Sequence, residues 1–337
     1  MNNKIKTGVL SFGMSGTLFH APFLETHDGF ELYGVVERTK KNVKSKYPNV
    51  KSFDSVVELL ADDEIELVVI NTPTSTHYEF ALKAIQANKH ILVEKPFTVT
   101  SKEAKHLFEE AKKRSLNILP FQNRRYDSDF LTVKNILDSG KLGKLIEVYI
   151  RYDRYKPKLG NNASKETRIP GNGVVYNLGP HLVDAAILLF GKPLTWTKTI
   201  GHYRPNTQID DYFQIHLTYP EGLQVFLTSS LLVAEEGPAF VFNGSKGSYN
   251  KYRTDVQEKQ LQEGMSPDNP LFGIEESGKE GLLTTISSDG IKSQEKIAAI
   301  QSSYLNVFED VYQAIRKGIP YPVTEEQILQ QLEILES

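Results

Sequence analysis

A lysine at the end of an apolar segment is the first residue of this chain with the chemistry of a catalytic group. Lys95 lies in the segment VEKP, and the proline that follows it cannot continue a central sheet ladder. An ammonium at the end of a buried strand is costly unless it meets an anionic or polar partner. The position therefore suits a group that stabilises negative charge developing on a reacting oxygen. A lysine whose ammonium reaches solvent is the alternative interpretation.

The segment 171–191 holds three polar residues, Asn177, His181 and Asp184, and the histidine is a candidate group for proton transfer. If it is helical throughout, Asn177 and His181 lie on one face, four residues apart. A Gly-Pro pair interrupts the segment, so a helix that begins at Pro180 is the alternative. His181 would then lie in a first turn, where the dipole disfavours imidazolium, and a neutral imidazole suits a general base. A half-buried structural histidine is the other interpretation, and no group of histidines and carboxylates has the spacing of a metal site.

A glycine-containing turn near the start of the chain predicts where a dinucleotide binds. The predicted strand Ile5–Leu10 leads into Ser11-x-Gly13-x-x-Gly16, which is one glycine short of the G-x-G-x-x-G pattern. Gly13 lets the backbone approach a pyrophosphate, and Gly16 lets the following helix pack closely on the sheet. Serine serves at the first position if φ there is negative. We predict that the cofactor is contacted by Ser11, Gly13, Met14, Ser15 and Gly16. The alternative is an ordinary strand–helix turn with no ligand.

The end of the second predicted strand bears on the choice of cofactor. Glu37 lies 21 residues after Gly16, close to the spacing of about 20 expected of a carboxylate that binds the adenosine ribose. Such a carboxylate accepts hydrogen bonds from both ribose hydroxyls and repels a 2′-phosphate, which favours NAD. The guanidinium of Arg38 is next to it and can stack on adenine or pair with a 2′-phosphate, which leaves NADP open. A solvated charge pair at a strand end is the structural interpretation.

Two further segments follow predicted strands and therefore fall at the same edge of the sheet. Thr72 and Pro73 come directly after the apolar strand Ile65–Asn71, where a cofactor runs along the carboxyl ends of parallel strands. His77 is either a neighbour of the cofactor or a residue that begins the next helix. Glu94, beside the candidate lysine, completes the predicted cofactor contacts.

The first third of the chain alternates strand and helix signals. The predicted strands are Ile5–Leu10, Leu32–Val36, Ile65–Asn71, 90–96 and Leu116–Pro120. Helices are predicted at the capping box Ser55-x-x-Glu58, over Tyr78–Ala87 with Asn88 as a left-handed stop, and at the capping box Thr100-x-x-Glu103. This alternation is typical of a doubly wound parallel sheet.

After about Asn123 the pattern changes to one helix followed by long strands. The strands are Leu145–Tyr155, Asp211–Tyr219, Leu223–Val233 and Ala239–Gly244, and helices return at Tyr304–Arg316 and Thr324–Leu335. Successive hairpin strands predict an open, mostly antiparallel sheet whose second face needs a cover, often another subunit. We therefore predict an α/β protein with a Rossmann domain over residues 1–123 and an α/β substrate-binding and oligomerisation domain over residues 124–337. Residues 262–281 are predicted to form a surface excursion.

Composition narrows the classes of function. The 337 residues are 39% apolar and carry a net charge of −3 with both signs interspersed, so a nucleic-acid partner is not expected. The absence of cysteine excludes disulfides, thiolate catalysis and Cys-ligated zinc. The longest apolar run, about 185–190, is far shorter than the roughly 20 residues of a membrane span. We expect a cytoplasmic protein with a small-molecule substrate and no membrane partner.

Together these motifs resemble those of the glucose–fructose oxidoreductase / inositol dehydrogenase / rhizopine-catabolism (Gfo/Idh/MocA) oxidoreductases. The likeness runs along nearly the whole chain, through GVLSFGMSGTLFHAPFL, NTPTSTHYEFALKAIQANKHILVEKPF, FQNRRYDSDFLTVK, YNLGPHLVD and GIPYPVTEEQ. The EKP and H-x-x-D elements, in that order after a Rossmann half, are specific to the family. FHAP and NRRYDSDF are similar to the subgroup that includes scyllo-inositol dehydrogenases.

The resemblance implies hydride transfer between NAD or NADP and a secondary alcohol of an inositol-like polyol or sugar. It gives Lys95 the role of polarising the reacting hydroxyl, and His181 that of base in oxidation and acid in reduction. Asn177 stands where inositol dehydrogenases commonly carry an aspartate, and an amide can orient His181 but cannot accept its proton. Arg125 and Asp184 are candidate substrate contacts. A homodimer or homotetramer through the C-terminal sheet is also expected.

Some relatives give different outcomes. Certain members cleave glycosidic bonds by transient oxidation with tightly held NAD, others reduce imines, and a few are non-catalytic sensors that bind cofactor. The presence of Lys95 and His181 together favours an enzyme over a sensor.

Overall fold

The structure, a computed structural model, describes residues 4–39, 41–160 and 163–337. The strands of a first sheet are β1 (Ile5–Val9), β2 (Phe30–Val36), β3 (Lys51–Phe53), β4 (Leu67–Ile70), β5 (His90–Val93) and β6 (Ile118–Pro120). The helices between them are α1 (Ala21–Thr26), α2 (Val43–Lys46), α3 (Val56–Leu60), α4 (His77–Gln86) and α5 (Ser101–Lys113).

The first sheet has the strand order of a dinucleotide-binding domain. Its order is β3-β2-β1-β4-β5-β6, and every pairing is parallel. The direction of winding reverses between β1 and β4, which is where open α/β sheets bind their ligands. The sequence LVVI of β4 is buried throughout, as expected of a strand covered on both faces. The predicted Rossmann sheet is confirmed.

Local signals fix the ends of the helices as predicted. Thr100 and Glu103 form a reciprocal capping box, in which each side chain accepts the backbone N–H of the other residue. Ser55 Oγ accepts the backbone N–H of Glu58 at 3.2 Å at the start of α3. Asn88 has a φ of 57° and ends α4 in the left-handed conformation.

A second sheet follows, with strands β7 (Leu145–Arg151), β8 (Thr195–Gly201), β9 (Tyr212–Thr218), β10 (Gln224–Ser230), β11 (Phe240–Gly244), β12 (Gly247–Lys251), β13 (Gly281–Ile286) and β14 (Lys292–Ile297). The remaining helices are α6 (Ser128–Asp138), α7 (Ala163–Glu166), α8 (Val174–Phe190), α9 (Gln257–Gln262), α10 (Leu305–Lys317) and α11 (Glu325–Glu336). The sheet order is β14-β13-β12-β11-β7-β10-β9-β8, antiparallel except between β7 and β10. The predicted mostly antiparallel sheet is confirmed.

The two faces of the second sheet differ. One face buries alternate residues of its strands against α8 in a single apolar cluster. On the other face, four half-exposed side chains are in register across adjacent strands, and we call them the outer row: Val241, Tyr149, Phe226 and His216. The rings of Tyr149 and Phe226 stack at 5.0 Å, and those of Phe226 and His216 stack at 4.4 Å.

Helix α8 is continuous and contains a proline. It begins at Val174 and ends at Phe190, with Pro180 inside it. The carbonyl oxygen of Pro180 accepts a hydrogen bond from Gln331 Nε2 at 3.0 Å. The alternative helix start at Pro180 is therefore wrong, because the helix already begins at Val174 and runs through the proline. His181 lies two turns inside α8, so the argument from a first-turn dipole does not apply.

The chain divides into two compact units that are discontinuous in sequence. Unit 1 contains the residues up to Asn123 together with Glu258–Phe272 and Ser303–Leu329, and unit 2 contains the remainder. A single division at residue 123 thus omits two later segments of unit 1. The first of them includes part of the predicted surface excursion, yet Phe272 is only 2% exposed and packs edge-on to Phe23 at 6.2 Å. No helix within the described ranges combines the length and the apolarity needed to cross a bilayer.

Candidate active site

The turn after β1 is fixed by the residue that follows β4. Asn71 accepts the N–H of Ser11 at 2.9 Å and donates its side-chain amide to the carbonyl oxygen of Ser11 at 2.8 Å. A Cβ added to Gly16 would lie 2.1 Å from that same carbonyl, so the close approach requires glycine. Non-glycine residues with positive φ in the described chain are Asn88, Ser115, Asn206 and Glu221, and Ser11 is not among them. Serine therefore fits the first position without backbone strain.

The second glycine of the turn has a different environment. A Cβ on Gly13 would meet only Ser11 Oγ, at an ordinary contact distance of 3.5 Å. Packing within the protein therefore does not require glycine at position 13. A glycine there is consistent with a backbone that a pyrophosphate approaches closely. Met14, next to it, is 64% exposed. The backbone turns into a helix at this point, with Thr17 N–H bound to the carbonyl oxygen of Gly13 at 2.9 Å, so the residues present fit a dinucleotide.

The helix that leaves the turn begins with a π-helical segment, Gly16–His20, which directs a histidine inward. His20 is fully buried, and its Nε2–H donates to Glu94 Oε1 at 3.0 Å. The hydroxyl of Ser15 donates to the same carboxylate oxygen at 2.7 Å. The turn after β1 and the EKP segment are thus joined through one oxygen atom. Sequence reasoning missed His20, although it stands in the FHAP motif.

Glu94 is ionised in this environment. Its burial acts to raise the pKa, but the hydrogen bonds from His20 and Ser15 and the charges of His20 and Lys95 outweigh burial and lower the pKa to about 2. The second carboxylate oxygen accepts the backbone N–H of Lys95 at 3.2 Å. Glu94 therefore accepts hydrogen bonds from within the protein, where a cofactor contact was predicted.

Lys95 follows β5 directly and is half-buried at the carboxyl edge of the sheet. Pro96, the residue after Lys95, is held by His77. The Nδ1 atom of His77 lies 2.8 Å from the carbonyl oxygen of Pro96, and its Nε2 atom lies 2.8 Å from the carbonyl oxygen of Thr72. His77 is 1% exposed, and its burial lowers its pKa despite these carbonyl partners. The structure thus gives His77 an internal role instead of the predicted cofactor contact, because both ring nitrogens face backbone carbonyls.

The remaining predicted cofactor contacts of unit 1 lie at the ends of β4 and β2. Thr72 is half-buried with its hydroxyl 2.7 Å from that of Thr76, and Pro73 is exposed. Both follow β4 as predicted. Arg38 is exposed at the end of β2.

Glu37 departs from the expectation of a carboxylate turned toward a ribose. It follows β2 as predicted, but it is buried and its Oε1 accepts the backbone N–H groups of Asn42 and Val43 at 2.8 and 3.1 Å. Its Oε2 accepts the hydroxyl of Ser52 at 2.9 Å. Most of its acceptor capacity is therefore used to hold the segment after β2.

In unit 2, α8 carries Asn177 and His181 on one face. Asn177 is exposed and His181, one turn later, is 9% exposed, which agrees with the predicted i, i+4 arrangement. The start of α8 is fixed by Asp210, whose Oδ2 accepts the N–H of Val175 at 2.7 Å and whose burial raises its pKa. A Cβ on Gly173, where φ is 95°, would lie 2.0 Å from Asp210 Oδ1. Sequence reasoning missed Asp210, because nothing local links it to a helix 35 residues upstream.

The two predicted substrate contacts bind each other. Arg125 donates from Nε and Nη2 to the two carboxylate oxygens of Asp184, at 2.8 and 2.7 Å. The residues are 6% and 4% exposed. This bidentate, buried pair fastens α8 to the turn before α6, so the structure assigns both side chains an internal ion pair. Within the described ranges, no set of three or more His, Asp or Glu side chains is arranged to hold a metal ion.

The segment after Arg125 is locked by reciprocal carboxylate contacts. Asp129 Oδ2 accepts the N–H groups of Thr254 and Asp255 at 2.7 and 3.1 Å, while Asp255 Oδ2 accepts the N–H of Ser128 at 2.8 Å. These contacts give Ser128 and Asp129 of the NRRYDSDF motif a structural role within unit 2.

Comparison with known proteins agrees with this architecture. Residues 5–120 match the family described as an oxidoreductase family with an NAD-binding Rossmann fold, and residues 130–250 match the GFO/IDH/MocA C-terminal domain. An uncharacterized oxidoreductase of Schizosaccharomyces pombe is 38% identical, covering 99% of this chain and 96% of its own. The scyllo-inositol 2-dehydrogenase (NADP(+)) IolW of Bacillus subtilis is 33% identical, covering 99% and 92%.

A solved structure shares the whole fold. The crystal structure of an oxidoreductase from Bacillus cereus superposes with a TM-score of 0.90 at 33% identity, covering 99% of this chain and 95% of that one. The strand order of the first sheet, the second, mostly antiparallel sheet and these matches together lead to one conclusion. The chain belongs to the GFO/IDH/MocA family of NAD(P)-binding oxidoreductases.

Proposed function

We propose that the protein is an NAD(P)-dependent dehydrogenase that acts on a secondary alcohol of an inositol-like polyol or sugar. The observation that supports it best is the fixed position of Lys95, directly after β5, with Glu94 binding its backbone N–H and His77 binding the carbonyl of the next residue. These hydrogen bonds hold the backbone on both sides of Lys95 at the ligand-binding edge of a Rossmann sheet. A fixed ammonium at that edge suits a group that acts on a reacting oxygen. The B. subtilis relative is a dehydrogenase of scyllo-inositol, which is such a polyol.

The proposed roles follow from the chemistry of each side chain. A bound nicotinamide dinucleotide supplies or accepts the hydride. The ammonium of Lys95 stabilises negative charge on the oxygen of the reacting alcohol. His181 takes the hydroxyl proton in oxidation and returns it in reduction, and Asn177 orients the imidazole without accepting its proton.

A screen of inositols, aldoses and sugar phosphates with NAD and NADP tests the proposal. Lys95→Met keeps the length of the side chain and removes its charge, so we expect turnover to fall by about 10²–10³-fold while NADH binds within threefold of the native affinity. Lys83→Met is the matched control, because Lys83 makes an exposed ion pair with Glu79 in α4. Native turnover by Lys95→Met would remove Lys95 from the reaction. Cofactor retained through purification, with no net reduction of added NAD, would instead support a glycosidase.

We propose NAD as the preferred cofactor. A carboxylate at the end of β2 disfavours a 2′-phosphate whichever N–H groups it also accepts, and this argument depends on Glu37. The exposed guanidinium of Arg38 acts in the opposite direction. We expect Glu37→Gln to raise kcat/KM for NADP relative to NAD, and Arg38→Gln to lower it. An unchanged ratio in both variants would place the preference elsewhere in the chain.

We also propose that the outer row of the second sheet joins copies of this chain. Stacked aromatic rings on a half-exposed sheet face support this proposal, because they can be buried against the same surface of a second copy in an isologous dimer. We expect Phe226→Glu to lower the native molar mass measured by light scattering after size exclusion. Val57→Glu is the control, because Val57 is 69% exposed in unit 1. A native protein that is monomeric would contradict this assignment.

A further inference from the structure

A buried histidine without an assigned role lies beside the EKP segment. His20 is fully buried, and its ring lies 4.6 Å from that of Phe121 and 6.2 Å from that of Phe308, measured between ring centroids. Its Nδ1 makes no hydrogen bond to the described part of the chain. Packing and a single hydrogen bond therefore fix the ring, and that hydrogen bond goes to Glu94.

The hydrogen bond from His20 is accepted by Glu94 Oε1, which also accepts a second hydrogen bond. Glu94 Oε1 accepts from His20 Nε2 at 3.0 Å and from Ser15 Oγ at 2.7 Å, and Oε2 accepts from Lys95 N at 3.2 Å. This carboxylate thus links the backbone of Lys95 to the turn after β1. Of its three donors, His20 is the one that aromatic packing holds in place.

We propose that His20 is a positioning residue for Lys95, and that it acts through Glu94. Without the donor at Nε2, the carboxylate keeps two hydrogen bonds, from a hydroxyl and from the adjacent backbone, and can rotate toward solvent or toward the Lys95 ammonium. A displacement of about 1 Å at a reacting group can cost about 100-fold in rate. This inference rests on the proposed role of Lys95 and names the group that makes this role geometrically exact enough for catalysis.

Two substitutions of His20 separate positioning from packing. His20→Phe keeps the aromatic volume against Phe121 and Phe308 and removes the donor, whereas His20→Gln places an amide donor within reach of the carboxylate. We expect kcat of His20→Phe to fall about 10–100-fold with KM and NADH affinity within about threefold, and His20→Gln to recover most of the loss.

The chain offers a closely matched control. His27 Nε2 binds Glu309 Oε2 at 2.9 Å, and its ring packs against Phe30 at 5.1 Å. His27→Phe removes the same kind of donor from the same kind of partner in unit 1. We expect it to leave kcat unchanged. An equal loss of kcat in His27→Phe and His20→Phe would overturn the proposal, because it would indicate a general loss of structure.

A second readout does not depend on turnover. Reductive ¹³C-methylation gives each lysine an NMR signal, and the signal of Lys95 is assigned by its absence in Lys95→Arg. In the cofactor-free protein we expect this signal to shift in His20→Phe and not in His27→Phe. If His20→Phe does not fold, Ser15→Ala removes the other side-chain donor to the same oxygen and must shift the same signal. An unmoved Lys95 signal overturns the inference, whereas a moved signal in a protein without dehydrogenase activity overturns only the proposed function.

Discussion

The ionised state of Glu94 makes a quantitative prediction about stability. Its pKa falls from 4.5 to about 2 in the folded protein, and its side chain is 13% exposed. One pKa unit is worth 1.36 kcal/mol, so the ionised carboxylate stabilises the native state by about 3 kcal/mol at neutral pH. Because the folded pKa is the lower one, this stabilisation is complete above the unfolded pKa and is lost as the pH falls through about 2.

Glu94→Gln removes the titrating group while keeping the shape of the side chain. We expect the native protein to exceed the variant in free energy of unfolding by about 3 kcal/mol at pH 7, and by about 2 kcal/mol at pH 3.5. Urea unfolding followed by far-UV circular dichroism at both pH values measures the two differences. Glu309→Gln is the control, since Glu309 also binds a histidine but is 48% exposed, and its loss should cost less than about 1 kcal/mol.

One pattern of results would refute this reasoning. If the native protein and Glu94→Gln differ by the same amount at pH 7 and pH 3.5, the stabilisation does not come from the charge on Glu94. The hydrogen bonds from the buried histidine and from the serine of the turn would then be neutral contacts, and the low pKa would be wrong.

Three further predictions concern the turn after β1, the buried Arg125–Asp184 ion pair and the buried histidine His77. Gly16→Ala forces a Cβ against a backbone carbonyl and should destabilise the fold by about 3 kcal/mol or more in urea unfolding. Gly13→Ala should fold normally but lose at least about tenfold in NADH affinity, measured by fluorescence titration. Arg125→Met strands the carboxylate of Asp184 and should cost about 3–5 kcal/mol in urea unfolding; a cost under about 1 kcal/mol would contradict a tightly coupled pair. Burial lowers the pKa of His77 below its usual 6.5, so native stability should fall as the pH drops below that value, and His77→Gln should show a smaller fall in melting temperature between pH 7 and pH 5.

Much of the fold could be predicted from local pattern because the elements concerned are strongly apolar or explicitly capped. The strand LVVI of β4 and the capping box at Thr100 are such elements. The short strand β3 and the polar edge strand β14, KSQEKI, were not predicted, since both exist through pairing with a neighbour and not through their own composition. The start of α8 was also left open, because Pro180 lacks a helix N–H, whereas the structure shows one helix from Val174 to Phe190.

The positions of the candidate site residues on the sheet could be predicted, but the hydrogen bonds that these residues make could not. Polar residues at the ends of β2, β4 and β5 were correctly expected at one edge of a parallel sheet. A polar side chain there can serve a ligand or the backbone of its own fold, and the sequence pattern is the same in both cases. Glu37 and His77 turned out to bind backbone groups, and the contacts of Asn71 and His20 span 60 and 74 residues of sequence.

The discontinuity of unit 1 has a consequence for biosynthesis. Phe308 of α10 is fully buried and stacks on Phe23 at 5.4 Å, and Arg316 binds Glu66 at 2.9 Å, so the ribosome must translate most of the chain before the first sheet can complete its core. A nascent chain released after Asn123 would leave that aromatic surface facing water. Expression of the first 123 residues alone should therefore yield insoluble material, and co-expression with a fragment carrying residues 258–337 should return part of it to solution.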